Sequence, residues 1–171
     1  PIPAGFSETF PVIGKDGKCF VMLRTGLGSP AYIVTSTNGG RSWTPPAKSP
    51  ILAKHPLPCM LRDGTILCSY QRRYARPFGV RARFLRAPGR TWSEEAVLRD
   101  DVPFSDGLAE ATTVEFSDGA LYTAFQGYKA DARGAKRPFL GGVLWTRSYR
   151  RPFSPKLKRP PKAKKLNAPN R

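Results

Sequence analysis

Four side chains in this sequence are of types that could do chemistry if the fold brings them together: Glu8, Arg24, Arg76 and Glu110. Glu8 and Glu110 each stand eight residues before the aspartate of an Asp-Gly pair, Asp16-Gly17 and Asp118-Gly119, so a repeating fold gives them equivalent places. A carboxylate so placed can accept a proton from a neighbouring hydroxyl, or attack carbon as a nucleophile. An arginine fork pairs with a carboxylate through two parallel hydrogen bonds. Two carboxylates brought face to face repel unless a cation screens them, and Arg24, which leaves the same hairpin as Glu8, is the natural screen. The plainer alternative is that Glu8 and Arg24 only pair with each other at the end of a sheet, and that Arg76 is one exposed arginine among many.

The other reactive residue types point nowhere. Cys19, Cys59 and Cys68 are odd in number and fall in strand-like runs, so they read as buried free thiols rather than a disulfide framework. No pair has zinc-ligand spacing, and the single histidine, His55, precedes a proline and lacks the neighbours of a metal site. Neither a metal nor a cofactor is expected. No apolar run is long enough for a transmembrane helix, and the Pro- and Gly-rich start lacks the apolar core of a signal peptide.

The net charge of +17 suits a nucleic-acid binder, but its distribution does not. Ten of the 29 Lys and Arg, and no acid, fall between residues 147 and 171. The segment 150–171 also carries five prolines, and it reads as a basic, disordered tail after a folded region of residues 1–149. The bland reading is a solvated tail, and nucleic acid or an anionic surface is not expected as a partner except through it.

Strands must position the candidate residues. Runs such as Cys19-Phe20-Val21-Met22-Leu23 and Thr65-Ile66-Leu67-Cys68-Ser69-Tyr70 are short, β-prone and bounded by turns, and no long amphipathic helix pattern occurs. Asp-Gly pairs at 16–17, 63–64 and 118–119 each lie between two such runs and predict hairpins. Their spacings of 47 and 55 residues are those of propeller blades with four strands each. A second repeat interleaves with the first. Ser36-Thr37-Asn38-Gly39-Gly40-Arg41-Ser42-Trp43 is a glycine-rich turn ending in tryptophan, and Leu85-Arg86-Ala87-Pro88-Gly89-Arg90-Thr91-Trp92 is a worn copy 49 residues on. Glycines there take positive φ, a short polar side chain caps the turn, and the tryptophan packs beneath it. Trp43 and Trp92 should therefore hold equivalent places in successive blades.

These two turns resemble the Asp-box of sialidases, Ser-x-Asp-x-Gly-x-Thr-Trp, with Asn38 for Asp and Ser42 for Thr in the first copy. A sialidase pattern around an inner hairpin is similarly matched by Glu8, Val12, Asp16, Gly17 and Arg24. The resemblance covers about residues 5–148 and implies an all-β fold, three blades forming the C-terminal half of a six-bladed propeller. In that family the glutamate assists a nucleophilic tyrosine, which makes Glu8 catalytic, and an arginine triad clamps the substrate carboxylate, which assigns Arg24 and Arg76, with Arg72 and Arg73 as competitors to Arg76. The tyrosine's place is taken here by Glu110, a departure that questions the covalent mechanism. The resemblance sets the first clamp arginine and the aspartate acid/base in blades preceding this chain. It thus implies a glycoside-hydrolase fragment for sialic acid or related acidic sugars, inactive alone. The alternatives are a non-catalytic glycan-binding module and a nucleic-acid-associated protein. Its open blade faces need remaining blades or self-association.

Overall fold

The computed structural model describes residues 5–26, 29–52, 54–86, 91–104 and 110–148. They form three antiparallel sheets that follow one another along the chain. The first contains β1 (Glu8–Ile13), β2 (Cys19–Arg24), β3 (Tyr32–Ser36) and β4 (Ala47–Lys48), side by side in that order. The second contains β5 (Lys54–Met60), β6 (Ile66–Arg72), β7 (Gly79–Arg86) and β8 (Thr91–Trp92), with β9 (Ala96–Val97) also pairing with β7. The third contains β10 (Thr112–Glu115), β11 (Leu121–Ala130) and β12 (Lys136–Trp145). The all-β architecture of three successive blades is as expected, with four strands across the first and second sheets, β9 as an additional outer piece in the second, and three strands in the third. In the second, the Phe84 amide donates to the Ser93 hydroxyl (2.9 Å), as the Thr35 amide donates to the Thr44 hydroxyl (3.0 Å) in the first. The outer strand of the second sheet is interrupted between β8 and β9, and Glu95 turns inward. The third sheet has no outer strand among the described residues. The basic segment 150–171, residues 106–109 and the Gly89 of the second turn lie outside the described residues.

The three Asp-Gly hairpins share one geometry. In the first, Gly17 N–H donates to the Gly14 carbonyl (2.9 Å), Gly14 N–H donates to the Lys18 carbonyl (2.8 Å), and Gly17 has φ 76°. This is a type I turn closed by a left-handed glycine, a three-residue loop whose twist suits the flanking strands. The aspartate caps it by accepting from the backbone two residues on: Lys18 (3.2 Å), Thr65 (2.9 Å) and Ala120 (2.9 Å). The Asn38 turn is tied from inside, its Oδ1 accepting from the Ser42 amide (3.0 Å) while Ser36 Oγ accepts from the Gly40 amide (2.9 Å). Thr44 N–H then donates to Thr35 (2.9 Å), as Ser93 N–H does to Phe84 (2.8 Å). That match sets Trp43 and Trp92 in equivalent places.

The core lies in the two seams between blades. Phe20, Met22 and Ile33 of the first blade meet Cys68, Tyr70 and Leu85 of the second. Leu67, Val80 and Ala82 on the other face of the second blade meet Leu121, Phe125 and Trp145 of the third. Because β6 is covered on both faces, Ile66 to Gln71 are buried without alternation. Polar groups cross the second seam as well. Trp145 Nε1–H donates to Thr123 Oγ1 (2.9 Å), which lies 2.8 Å from Thr113 Oγ1; Thr113 donates to Ser69 Oγ (3.0 Å), and Ser69 to the Ala111 carbonyl. Each hydroxyl in this relay accepts once and donates once, so nothing buried in it is left unpaired. At the hairpin end, Arg147 spans Asp63 and Glu115, each 3.2 Å from its Nη2. All three cysteines are free, and only Cys68 is fully buried.

Candidate functional site

Strands β1, β5 and β10 lead their sheets, and β5 packs against both of the others. Their hairpins close at equivalent pairs: Ile13 with Cys19, Met60 with Ile66, and Glu115 with Leu121. Five residues before each closing position stand Glu8, His55 and Glu110. One position of the repeat, taken in three blades, thus yields two carboxylates and an imidazole at the same end of the sheets.

The three side chains meet. Glu8 Oε2 lies 3.2 Å from His55 Nδ1, and Glu110 Oε1 lies 3.7 Å from the same nitrogen. Arg24, the cross-strand partner of Glu8, places Nη1 on Glu8 Oε1. The imidazole therefore separates the carboxylates and Arg24 screens one of them. Two groups here are buried without an aligned hydrogen-bond partner, Glu8 Oε2 and Arg24 Nε. The His55 approach to Glu8 is one of proximity rather than an aligned hydrogen bond. Buried polar atoms of this kind call for a role, because each costs about 1–3 kcal/mol.

The backbone is bent to bring the histidine in. His55 has φ 51°, a left-handed conformation unusual for a residue with a β-carbon, and β5 slips register between Lys54 and Leu57. The slip is a bulge that adds a residue on the β5 side, with the neighbouring Pro56 fully buried. Such strain persists where the surroundings enforce it, and it clusters at functional sites.

Of the residues singled out in the sequence, Glu8, Arg24 and Glu110 are brought together. Arg76 is not: it is exposed, with its guanidinium 4.7 Å from the centre of the Phe78 ring, and among the described residues no carboxylate is within ion-pair distance of it. Arg72 points to Glu95 instead, 3.6 Å away. Glu95 is the anchor of a separate buried cluster, accepting from the Tyr70 hydroxyl at 2.6 Å and lying 3.5 Å from Arg81. Sequence reasoning passed over His55 as an isolated histidine, yet the signal was present, since His55 stands eight residues before Asp63 as Glu8 does before Asp16. Tyr74 stands in the same segment as Arg72, Arg73 and Arg76. Its phenol is pushed up by burial, against the opposing charges of Arg24 and Arg73.

The third blade forms one wall. β10 pairs with β11 only as far as Thr112 opposite Ala124, while β11 and β12 run on together to Ala130 and Lys136. The resulting arm passes the level of Glu110, and Gln126, Tyr128, Pro138 and Leu140 line a shallow groove on it. Its tip is tied by Asp131, which accepts from the Arg133 and Ala135 amides (2.9 and 3.0 Å) and pairs with Arg137 (3.0 Å).

No family model matches the sequence, and no curated protein matches it. Solved structures do. A Dyadobacter fermentans protein of unknown function superposes with a TM-score of 0.68 at 28% identity, over 84% of this chain and 39% of its own. The GH93 α-L-arabinofuranosidase of Fusarium graminearum, solved with arabinobiose, superposes with a TM-score of 0.57 at 16% identity, over 84% of this chain and 47% of its own. This chain spans less than half the length of either structure. The likeness establishes an all-β fold that matches part of a propeller-containing glycosidase chain.

Proposed function

We propose that these blades are half of a glycoside-hydrolase propeller, and that Glu8 and Glu110 are its carboxylate pair. The observation carrying this reading is the meeting of both carboxylates at His55 Nδ1, 3.2 and 3.7 Å away, beside the unpartnered Glu8 Oε2 and Arg24 Nε. Glycoside hydrolysis needs two carboxyl groups flanking the scissile bond: one protonates the leaving oxygen, and the other attacks the anomeric carbon or activates a water. Glu8, held by Arg24 and His55, suits the second role. Glu110, with a more exposed side chain and only His55 upon it, suits proton donation. A carboxylate in the tyrosine's place then has a use of its own.

The sugar we propose is neutral. Arg24 is engaged by Glu8 and Arg76 stacks on Phe78, so these two do not form a clamp for a sialic-acid carboxylate. The likeness to an arabinofuranosidase supports the same choice. With three blades the chain should bind a glycoside weakly and turn none over. Calorimetric titration of the chain with arabinobiose and with sialyllactose tests this. Millimolar binding of arabinobiose, lost in Glu8→Gln and Glu110→Gln, is expected. Binding of sialyllactose alone would restore the acidic-sugar reading, and binding of neither would remove the function.

A further inference from the structure

The gap between the two carboxylates is filled in the free chain. The His55 Nδ1 that lies 3.2 Å from Glu8 Oε2 also lies 3.7 Å from Glu110 Oε1, so the ring stands between the two side chains. A glycosidase needs such a gap for its sugar, because the two carboxyl groups flank the scissile bond. Ring and sugar therefore compete for one space.

Several features make the ring the partner that can leave. It is held loosely: Glu8 Oε2 has no aligned hydrogen bond, and at 3.7 Å Glu110 is too far for one. It is carried on strained backbone, since His55 has φ 51° where β5 slips register between Lys54 and Leu57. Its surroundings have supports of their own. Arg24 holds Glu8 through Oε1, and the fully buried Pro56 fixes β5 beside the histidine. The His55 side chain is 21% exposed and so has a way out to solvent. In leaving, it uncovers Glu8 Oε2, the carboxylate oxygen that Arg24 does not occupy.

We infer that His55 is a placeholder: its imidazole fills the sugar position between Glu8 and Glu110 in the free chain and swings out when a glycoside binds. The role rests on Glu8 and Glu110 being the carboxylate pair proposed above. It makes His55 a residue that sets affinity, because a sugar binds only the open form and its apparent affinity is lowered by the fraction of chains that are closed. A histidine that merely braced the carboxylates would stay in place, and its removal would weaken binding instead.

Calorimetric titration with arabinobiose tests it on the 171-residue chain and on His55→Ala and His55→Gly. Glycine adopts the left-handed conformation freely, so His55→Gly is read alone if His55→Ala loses its circular dichroism spectrum. Both variants should bind about tenfold tighter than the wild type, because no ring competes with the sugar. In the wild type, nuclear Overhauser contacts from the His55 ring to the Glu8 and Glu110 side chains should be present without sugar and vanish at saturation. Binding by the variants alone would also support the placeholder. Binding that is unchanged or weaker in His55→Gly overturns it and leaves the proposed function standing, as do ring contacts that persist in the sugar-bound chain. Binding of arabinobiose by none of the three chains removes the proposed function and the placeholder with it.

Discussion

Glu8 and His55 hold the same place in consecutive inner strands, and they touch: Glu8 Oε2 lies 3.2 Å from His55 Nδ1. Glu8 is also the only charged partner that Arg24 has among the described residues, and the Arg24 side chain is 15% exposed. Glu8→Ala should therefore cost about 2–3 kcal/mol, most of it the penalty of a guanidinium left buried and unpaired. Glu110→Ala should cost less than about 0.5 kcal/mol, because its side chain is largely solvated and touches only the histidine. Urea midpoints of the two variants give the comparison, and equal losses would contradict the assignment of Arg24 to Glu8.

Two glycines should respond differently to alanine. A β-carbon on Gly79 would overlap the Arg99 carbonyl, which is backbone and cannot swing away. Gly119 has φ 84° with open space around it. Gly119→Ala should cost about 1–2 kcal/mol, the price of a left-handed conformation. Gly79→Ala should cost clearly more, because β7 must separate from the segment that includes Arg99. Thermal denaturation of both variants decides, and a smaller effect at Gly79 would show that the contact yields.

The hydroxyl relay predicts an order of losses. Thr123→Val removes the acceptor of Trp145 Nε1–H and the donor to Thr113 together, both buried, and should cost about 2–3 kcal/mol. Ser69→Ala at the far end strips one bond from the Ala111 carbonyl and the acceptor of Thr113. It leaves the indole satisfied and should cost about 1–2 kcal/mol. Equilibrium unfolding that reversed the order would mean that the relay does not tie the seam.

Acid should loosen the second seam. The Arg147 guanidinium holds the Asp63 carboxyl below the usual carboxylate range. A depressed folded-state value stabilises the fold above the unfolded value of about 4, and that contribution fades as pH falls through the lowered one. Asp63 is half exposed, so solvent screening keeps the effect modest. The stability difference between wild type and Arg147→Met should be largest at neutral pH and shrink steadily below about pH 4. A constant difference down to strong acid would exclude the ion pair as its cause.

The blades were legible because their hairpins repeat a local chemistry. Asp16-Gly17, Asp63-Gly64 and Asp118-Gly119 make one turn three times, and Asn38 and Gly40 tie a second kind of turn through their own neighbours. What depends on neighbours distant in sequence was less legible. The arm of β11 and β12 closes on Arg133-Gly134 without an Asp-Gly pair, and Phe125 and Tyr122 lie over Gly141 and Gly142. The outer strand of the second blade is interrupted between β8 and β9, where Glu95 turns inward to the Tyr70 hydroxyl, a contact not visible in strand propensity. At the site, the resemblance to the sialidase hairpin pattern pointed to Glu8, Arg24 and Glu110. His55 was discounted because a lone histidine before a proline carries no pattern along the chain; its partners come from the other two blades.

His55 is the only histidine in the chain, so its imidazole gives a single, unambiguous set of nuclear magnetic resonance signals. Carbon-13 and proton spectra of that ring during titration with arabinobiose test most directly whether the Glu8, His55 and Glu110 cluster receives a sugar. The account predicts that the ring signals shift progressively and saturate at millimolar ligand, and that they no longer do so in Glu8→Gln. Ring signals that stay fixed while backbone amides elsewhere respond would contradict it.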